Sequence, residues 1–522
     1  MSVVGLSCLC SIKTALLPRS VIPLLSPPIV NMTTATTTAT SFNRASFGGL
    51  SADFDPEWLL TPEQKELQEK LIALCAEVLR PNAIASDRDL IYPRKNFEAL
   101  ASLGLLGLFV PKEWGGLGEN HVCAAMVVET IARYGCPSTA MCYTMHLGAV
   151  AAALFRAHDN PELQSLLQRL DADVAIGTLS YSDPETGSHF WYPVSSRAER
   201  TSSGWQVFKK ASWTTSAGFA DWYIVQTTSP DFSGDYSDLS CFLIYQDEVQ
   251  AEPHKWDALG LRGNQSGTLL VDGVAIPSQR MIGPIGDGVS SNDEIVDPFF
   301  LLCSSACWNG IALGAIDIAK KHVTRKKHVD VGMRVADYPT IQDYFGEAII
   351  DTSACRLQNF SMGQLMDQLT NDCDWSVHAD ASALPRSAYL HWYWQIKFSA
   401  AKNVAHVCDK MLHACGGSGF KKDMEVERYL RDGKAGWVMG PTNEILRQFV
   451  GKSALLGFES LDYWNQSVNE RVLHNEVKKM SDIDKRKLAE ALLAEVNEKE
   501  ASAADVLAKA SAEKAVMAGV GA

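Results

Sequence analysis

Residues 205–228 read WQVFKKASWTTSAGFADWYIVQTT, and this stretch decides the class of fold. It is rich in aromatic and β-branched residues and is interrupted by turn residues, which is the pattern of short strands. Similar runs follow at residues 241–245 and 268–276. We therefore predict a small middle domain, residues 173–285, that is built of β-strands and is barrel-like.

Helical patterns flank this β-domain on both sides. In the preceding domain, residues 53–172, Thr61 offers an N-cap, Pro62 takes the first helical position, and apolar residues recur every three or four positions. In the following domain, residues 286–461, small residues between 304 and 320 would let long helices approach closely, as in a four-helix bundle. The predicted fold class is α+β with several domains, in the order α, β, α.

The two ends of the chain differ from this body. Residues 1–52 contain no acidic residue, only three basic residues and many Ser and Thr, which is typical of a transit peptide; a disordered N-terminus is the alternative. We expect import into an organelle, a mitochondrion rather than a plastid. Residues 462–522 are rich in Ala, Glu, Lys and Leu and predict an amphipathic helical tail.

The composition narrows the class of protein. Of 522 residues, 46% are hydrophobic and 21% are charged, which is enough for a large core. A net charge of -14 argues against a nucleic-acid-binding surface. The 13 cysteines form no CxxC pair, so we expect buried thiols in a reducing compartment. No uninterrupted apolar run reaches the roughly 18 residues of a membrane span, so no transmembrane segment is predicted.

Several familiar cofactor motifs are missing from the sequence. The glycines at 115–118 and 416–419 lack the GxGxxG spacing of a dinucleotide-binding turn. Residues 451–453 read GKS, like the end of a P-loop, but Leu446 stands where that loop needs a Gly. There is no HExxH motif, and no metal site is predicted. A bound cofactor must therefore be held by another architecture.

Seven short motifs follow one another in a fixed order along most of the chain. They are WGGLG at 114–118, SDPETGS at 182–188, KASWTTS at 210–216, LGLRG at 259–263 with VAIP at 274–277, GGSGF at 416–420, RD at 431–432 and PTNEI at 441–445. Each is weak alone, but the ordered set resembles the acyl-CoA dehydrogenase superfamily. The resemblance has the same α, β, α order that periodicity predicts.

The resemblance implies that the protein binds FAD. The SDPETGS loop and the KASWTTS strand would form the pocket of the flavin ring, with Ser182 and Ser188 as hydroxyl contacts and Trp213, Thr214 and Thr215 as its wall. Hydrogen-bond donors tune the ring that stores the hydride, and an aromatic neighbour excludes water. The alternative is a β-domain with a core Trp and ordinary turn hydroxyls.

The same resemblance implies FAD contacts from the C-terminal domain. Gly416 and Gly417 resemble the site where a neighbouring subunit's backbone approaches the FAD pyrophosphate, which predicts a homodimer or a homotetramer. The alternative is a tight turn between helices. The other implied contacts are Arg325 and Gln342 for the pyrophosphate and Thr442, Asn443 and Glu444 for the adenosine end.

The usual catalytic residue is missing. Removal of the α-proton of a thioester needs a desolvated carboxylate within reach of that carbon. In most of the family this Glu directly precedes Gly-Thr, where this chain has Gly440, and a second location used by some members falls at Phe300. The remaining candidates are Asp297, Glu294 and, less well placed, Asp432. We therefore expect slow reaction with ordinary straight-chain acyl-CoAs.

Three functions remain open at this point. The first is an FAD-dependent oxidoreductase that acts on the CH–CH group of an acyl-CoA, with an electron-transfer flavoprotein as its acceptor. The second is a flavin monooxygenase of the same fold, similar to dibenzothiophene monooxygenase, with a flavin reductase as partner and His146 as a proton donor. The third is a non-catalytic scaffold that kept the fold.

Overall fold

The computed structural model describes most of the chain. The described residues are 48–187, 193, 195–234, 238–252, 255–379 and 385–457, with shorter pieces between 473 and 497. Most of the predicted transit peptide, Ser188 of the predicted flavin loop, and most of the predicted tail lie outside the described residues. Within that tail, residues 482–494 are helical.

Helices make up the first part of the described chain. They are α1 (Pro62–Leu74), α2 (Arg80–Arg88), α3 (Arg94–Ala101), α4 (His121–Thr130), α5 (Pro137–Leu154), α6 (Pro161–Leu167) and α7 (Leu170–Asp173). The predicted cap is present, because Thr61 Oγ1 accepts from Gln64 N and Gln64 Oε1 accepts from Thr61 N, both at 3.2 Å. Helices α4 and α5 are apolar on all sides and form the core of this part.

The middle of the chain forms one mixed sheet. Its strands are β1 (Gly177–Ser180), β2 (Arg197–Arg200), β3 (Gly204–Thr214), β4 (Trp222–Thr228), β5 (Leu239–Tyr245), β6 (Gln250–Ala251), β7 (Gly267–Pro277) and β8 (Met281–Ile282). Their order is β6-β7-β3-β2-β4-β5-β8, and β1 pairs in parallel with β4. Within the described residues β6 and β8 end the sheet instead of pairing with each other. The sheet is therefore open, which corrects the barrel-like form predicted from the sequence.

Helices return after the sheet and are long. They are α8 (Gly288–Ser291), α9 (Asp297–Arg325), α10 (Pro339–Leu369), α11 (Leu390–Gly419), α12 (Val426–Val438) and α13 (Asn443–Leu456), with a hairpin of β9 (Lys327–His328) and β10 (Met333–Arg334) after α9. Helices α9 to α12 pack against one another as a bundle. Among the described residues, only Gly288–Arg325, a continuous helix, is long and apolar enough to cross a membrane. Its most apolar window is 94% buried inside the protein, as in a core helix.

Residues 48–55 form an N-terminal strap that lies on α9. Leu50 N donates to Asp317 Oδ1 at 2.8 Å, and Lys320 Nζ donates to Gly49 O at 2.6 Å. The side chain of Leu50 is buried. The predicted transit peptide ran to residue 52, so its last residues overlap the folded part of the chain.

A buried ion network fastens the end of this strap. Asp55 accepts from Arg133 at 2.8 Å and from Arg356 at 3.0 Å. Arg133 also pairs with Asp317 at 2.7 Å, and Arg356 pairs with Glu129 at 2.6 Å. Each of the five residues is at most 7% exposed. Buried ion pairs therefore join the strap to α4, to its π-helical extension Ile131–Gly135, to α9 and to α10.

Candidate flavin and substrate site

The predicted flavin loop and strand meet at one rim of the sheet. Ser182 follows β1 and Trp213 lies near the end of β3. Ser182 Oγ donates to Trp213 O at 2.9 Å and accepts from Trp213 N at 3.1 Å. Thr214 and Thr215 are buried and bond to serine hydroxyls of neighbouring segments. The structure thus brings these four residues together, with the hydroxyl proton of Ser182 already used by Trp213 O.

Trp213 gives this rim an open aromatic surface. Its side chain is 63% exposed, and its indole packs edge-on against Trp256 with 4.9 Å between ring centroids. On the loop that begins at Ser182, Thr186 Oγ1 is buried and has no hydrogen-bond partner among the described residues. Buried hydroxyls normally have a partner. An open aromatic face and an unsatisfied hydroxyl fit a planar, polar cofactor such as a flavin.

Two buried charged residues hold the flavin loop. Asp183 accepts from the N–H and hydroxyl of Ser195 and from the amide of Glu185, all at 2.8 to 3.0 Å. Lys209 Nζ donates to Tyr181 O at 3.3 Å, and burial lowers the pKa of Lys209 to about 8. The sequence analysis missed both roles, although Asp183 lies inside the quoted motif.

The predicted pyrophosphate glycines lie at the end of α11. Gly416 has φ 55° and ψ -143°, a left-handed conformation that interrupts the helix. A Cβ at Gly416 or at Gly417 would meet no atom within 4 Å. The space in front of both glycines is therefore open to another molecule.

Arg325 and Gln342 lie at the connection between α9 and α10. Arg325 lines a cleft of about 590 Å³ together with the basic residues Lys321, His322 and Lys326. Gln342 donates to a backbone carbonyl six residues earlier. No hydrogen bond in the described residues joins this connection to the rim at Trp213.

The loop that carries Gly440 is held by a buried lysine. Lys397 Nζ donates to the carbonyls of Gly436, Met439 and Pro441 at 2.9 to 3.1 Å and to Asn443 Oδ1 at 3.0 Å. Burial lowers the pKa of Lys397 to about 7. Asn443, predicted to contact FAD, is therefore an internal anchor of this loop.

The two neighbours of Asn443 have local partners as well. Thr442 Oγ1 caps α13 by accepting from Ile445 N at 3.4 Å. Glu444 accepts from the indole of Trp437 at 3.1 Å. Both of these predicted contacts of the adenosine end thus already stabilise the start of α13.

His146 is part of the protein core. Its Nε2 bonds to Leu106 O and its Nδ1 accepts from Gly177 N, both at 2.9 Å. Burial lowers its pKa to about 4, so the ring is neutral. With both ring nitrogens hydrogen-bonded, His146 joins the N-terminal helices to β1, and its role as a proton donor stays a prediction.

Two of the candidate bases are engaged with backbone amides. Glu294 is buried and accepts from Arg386 N and Ser387 N at 2.9 Å. Asp432 Oδ1 accepts from Leu261 N at 2.6 Å, and burial raises the pKa of Asp432 to about 6. Both carboxylates therefore hold local structure, and their role as candidate bases stays a prediction.

Asp297 differs from these two carboxylates. It begins α9, directly after the π-helical turn Asn292–Val296, and π-helical turns are frequent at functional sites. Trp394 of α11 hydrogen-bonds to its carboxyl group, but Oδ1 is buried and has no partner among the described residues. Burial, and then the nearby Asp293, raise the pKa of Asp297 to about 8. Asp297 is thus a buried carboxyl group of raised pKa, and one of its oxygens has no hydrogen-bond partner among the described residues.

The helical, sheet and helical parts, with an exposed indole at the sheet rim and a hydroxyl there that has no partner among the described residues, fit a flavin-binding protein. Two family models match the chain: the acyl-CoA dehydrogenase N-terminal domain at residues 61–168 and the acyl-CoA dehydrogenase C-terminal domain at residues 302–455. The chain belongs to the acyl-CoA dehydrogenase superfamily. The members of this family are FAD flavoproteins, and the rim at Trp213 fits that cofactor.

Curated relatives and solved structures agree with the family. A probable acyl-CoA dehydrogenase, fadE25, of Mycobacterium leprae is 26% identical over 76% of this chain and 96% of its own length. The mitochondrial isovaleryl-CoA dehydrogenase of Solanum tuberosum is 23% identical over 77% and 92%. The glutaryl-coenzyme A dehydrogenase complex with glutaryl-CoA has a TM-score of 0.67 at 21% identity, covering 76% of this chain and 96% of that one. The FAD complex of PigA has a TM-score of 0.66 at 17% identity, with 77% and 99% covered.

Proposed function

We propose that the protein is an FAD-dependent dehydrogenase of an acyl-CoA thioester or a related substrate and that Asp297 is its catalytic base. The observation that carries this proposal is that Oδ1 of Asp297 has no hydrogen-bond partner among the described residues, while Gly440 offers no proton acceptor at the usual place. Both Asp297 and the Gly440 loop are linked to α11, through Trp394 and Lys397, which lie one turn apart. The base is thus supplied from α9 instead of the loop.

In the proposed reaction, Asp297 Oδ1 takes the α-proton of the thioester. The electron pair of that C–H bond forms the new C=C bond as the β-hydride leaves. FAD, when bound, supplies the acceptor of this hydride. Burial keeps water from Asp297 and raises its basicity, which suits it for removing a weakly acidic proton.

The test is anaerobic flavin bleaching by a panel of acyl-CoA thioesters, with the full-length protein loaded with FAD. Asp297→Asn should bleach about 100- to 10,000-fold more slowly than the wild type, the usual contribution of a positioned base. Asp432→Asn is the matched control, because it replaces another buried carboxyl group of raised pKa and can still accept from Leu261 N. Equal rates for wild type and Asp297→Asn would contradict the assignment of the base.

The same preparation separates the other two functions. If no thioester bleaches the flavin but a flavin reductase and O₂ support product formation, the protein is a monooxygenase. If the protein is colourless and cannot be reconstituted with FAD, it is a scaffold. The occupied ring nitrogens of His146 argue against the proton donor that we assigned to the monooxygenase.

The assembly and partners belong to the same proposal. We infer a homodimer or homotetramer in which Gly416, Gly417, Arg325 and Gln342 reach the FAD of a neighbouring subunit. The open space before the two glycines supports this inference. An electron-transfer flavoprotein is the proposed acceptor and a mitochondrion the proposed location. The low content of acidic residues in the leader and the mitochondrial relative from Solanum tuberosum support that location.

A further inference from the structure

The segment between α10 and α11 begins in an unusual backbone conformation. Asn371, Asp372 and Cys373 are three successive non-glycine residues with positive φ, between 48° and 66°. This conformation is strained for a residue other than glycine and persists only where its surroundings enforce it. Thr370 helps to enforce it here, because its Oγ1 accepts from Cys373 N at 3.0 Å.

The same segment ends at Arg386, a fully buried arginine at the centre of a polar cluster. Arg386 Nε donates to His121 Nε2 at 3.0 Å, and His121 Nδ1 donates to Asp367 Oδ1 at 2.7 Å. A second hydrogen bond joins Arg386 Nη1 to His378 Nε2. Burial and the Arg386 charge lower the pKa of His121, and they lower that of His378 to about 2, so both rings are neutral acceptors.

The cluster is closed by aromatic rings and a carboxylate. The guanidinium group of Arg386 lies 4.8 Å from the ring centroid of Phe299 and 5.8 Å from that of Trp375. Arg386 Nη1 lies 3.5 Å from Glu294 Oε1, and the amides of Arg386 and Ser387 both donate to this Glu. Arg386 therefore contacts side chains from several elements, and both its guanidinium group and its backbone amide contact Glu294.

Glu294 lies in the middle of the π-helical turn Asn292–Val296. The turn carries Asp293, and its last backbone hydrogen bond runs from Asp297 N to Asn292 O. We propose that Arg386 and Glu294 are positioning residues, which fix this turn and thereby aim the carboxyl group of Asp297 at the substrate. Arg386 also reaches the strained residues, because its Nη2 donates to Cys373 Sγ at 3.8 Å. The inference rests on the proposed role of Asp297.

The test uses the full-length protein loaded with FAD and three variants: Arg386→Met, Arg386→Lys and Glu294→Gln. Amide hydrogen exchange of residues 292–297 should become at least about tenfold faster in Arg386→Met and Glu294→Gln. The rate of flavin bleaching should fall about 10- to 100-fold without a matching change in KM, because small displacements of a reacting group cost this much. Arg386→Lys, which keeps the charge, should recover part of the rate.

The pH dependence of flavin bleaching distinguishes a role in positioning Asp297 from a role in overall stability alone. The groups that face Asp297 are Asp293 of the same turn and Trp394 of α11, and Glu294 faces Arg386. Looser packing of the turn lets water reach Asp297 and favours its ionised form, so the midpoint of the bleaching profile should move to lower pH in Glu294→Gln. Glu162→Gln, which breaks the distant pair with Arg280, is the matched control and should leave the midpoint in place.

Unchanged hydrogen exchange and an unchanged midpoint in Glu294→Gln would overturn the inference, even if Arg386→Met fails to fold. Hydrogen exchange needs no substrate, so it tests whether Arg386 and Glu294 fix the turn even if Asp297→Asn shows that Asp297 is not the base. The two proposals therefore fail separately.

Discussion

Asp55 offers the sharpest test of the structure. Its carboxylate pairs with two buried arginines, Arg133 and Arg356. Asp55→Ala removes this shared partner from both arginines. Removing one partner of a buried pair costs about 3 to 5 kcal/mol. Each arginine keeps a second carboxylate, Asp317 or Glu129, so we expect the lower end, about 3 kcal/mol. This corresponds to a fall of roughly 6 to 12 °C in Tm for a cooperative unit of about 150 to 250 residues.

The assay is thermal unfolding of the FAD-loaded protein, followed by circular dichroism. Asp53→Ala is the matched control, since Asp53 lies two residues earlier in the same strap but is exposed. Asp55→Asn keeps the shape and removes the charge, so it should lose most of the same stability. Melting temperatures of Asp55→Ala and Asp53→Ala within 2 °C of each other, a margin of about 1 kcal/mol or less, would refute the reasoning.

Four further predictions concern the site. Trp213→Ala should lower flavin occupancy, measured from the visible spectrum of the purified protein. Gly440→Glu, with and without Pro441→Gly, should speed bleaching by straight-chain acyl-CoAs, which we expect to be slow in the wild type. The bleaching rate should rise with pH through a midpoint at about pH 8, because only ionised Asp297 accepts the proton, and Asp297→Asn should lose this rise. Light scattering should give the mass of a dimer or a tetramer, and a monomer that binds FAD tightly would contradict the role of Gly416 across a subunit boundary.

The ionisation of Asp297 also sets the pH dependence of stability. Its pKa is about 8 in the folded protein against 3.8 as the reference for an exposed Asp. A raised pKa means that the folded state holds the proton more tightly, so this contribution to stability is complete below pH 4 and is lost as the pH rises to about 8. Asp297→Asn should therefore lose less stability than the wild type between pH 5 and pH 9.

Local features were predictable from the sequence. The cap at Thr61 needs only residues within one helical turn, and the strands of the middle domain follow from alternation and turn residues. The predicted thiols are present as well: the described cysteines are free, and all but Cys355 are buried. The order of motifs was enough to identify the family.

Features that depend on distant residues were not predictable. Arg386 and His121 are 265 positions apart, and no local pattern marks either of them as part of one cluster. The same limit applies to Asp297, whose free oxygen depends on which groups from other elements fail to reach it. Strand patterns likewise do not say which strands pair, so the sequence could not show that the sheet is open.

The open sheet ends in two very short strands. Strands β6 and β8 contain two residues each and pair with only two residues each of β7 and β5. Long exposed edges are templates for intermolecular strand addition, and short ones limit it. The two terminal strands are therefore too short to act as long templates, a form that limits strand addition through these strands.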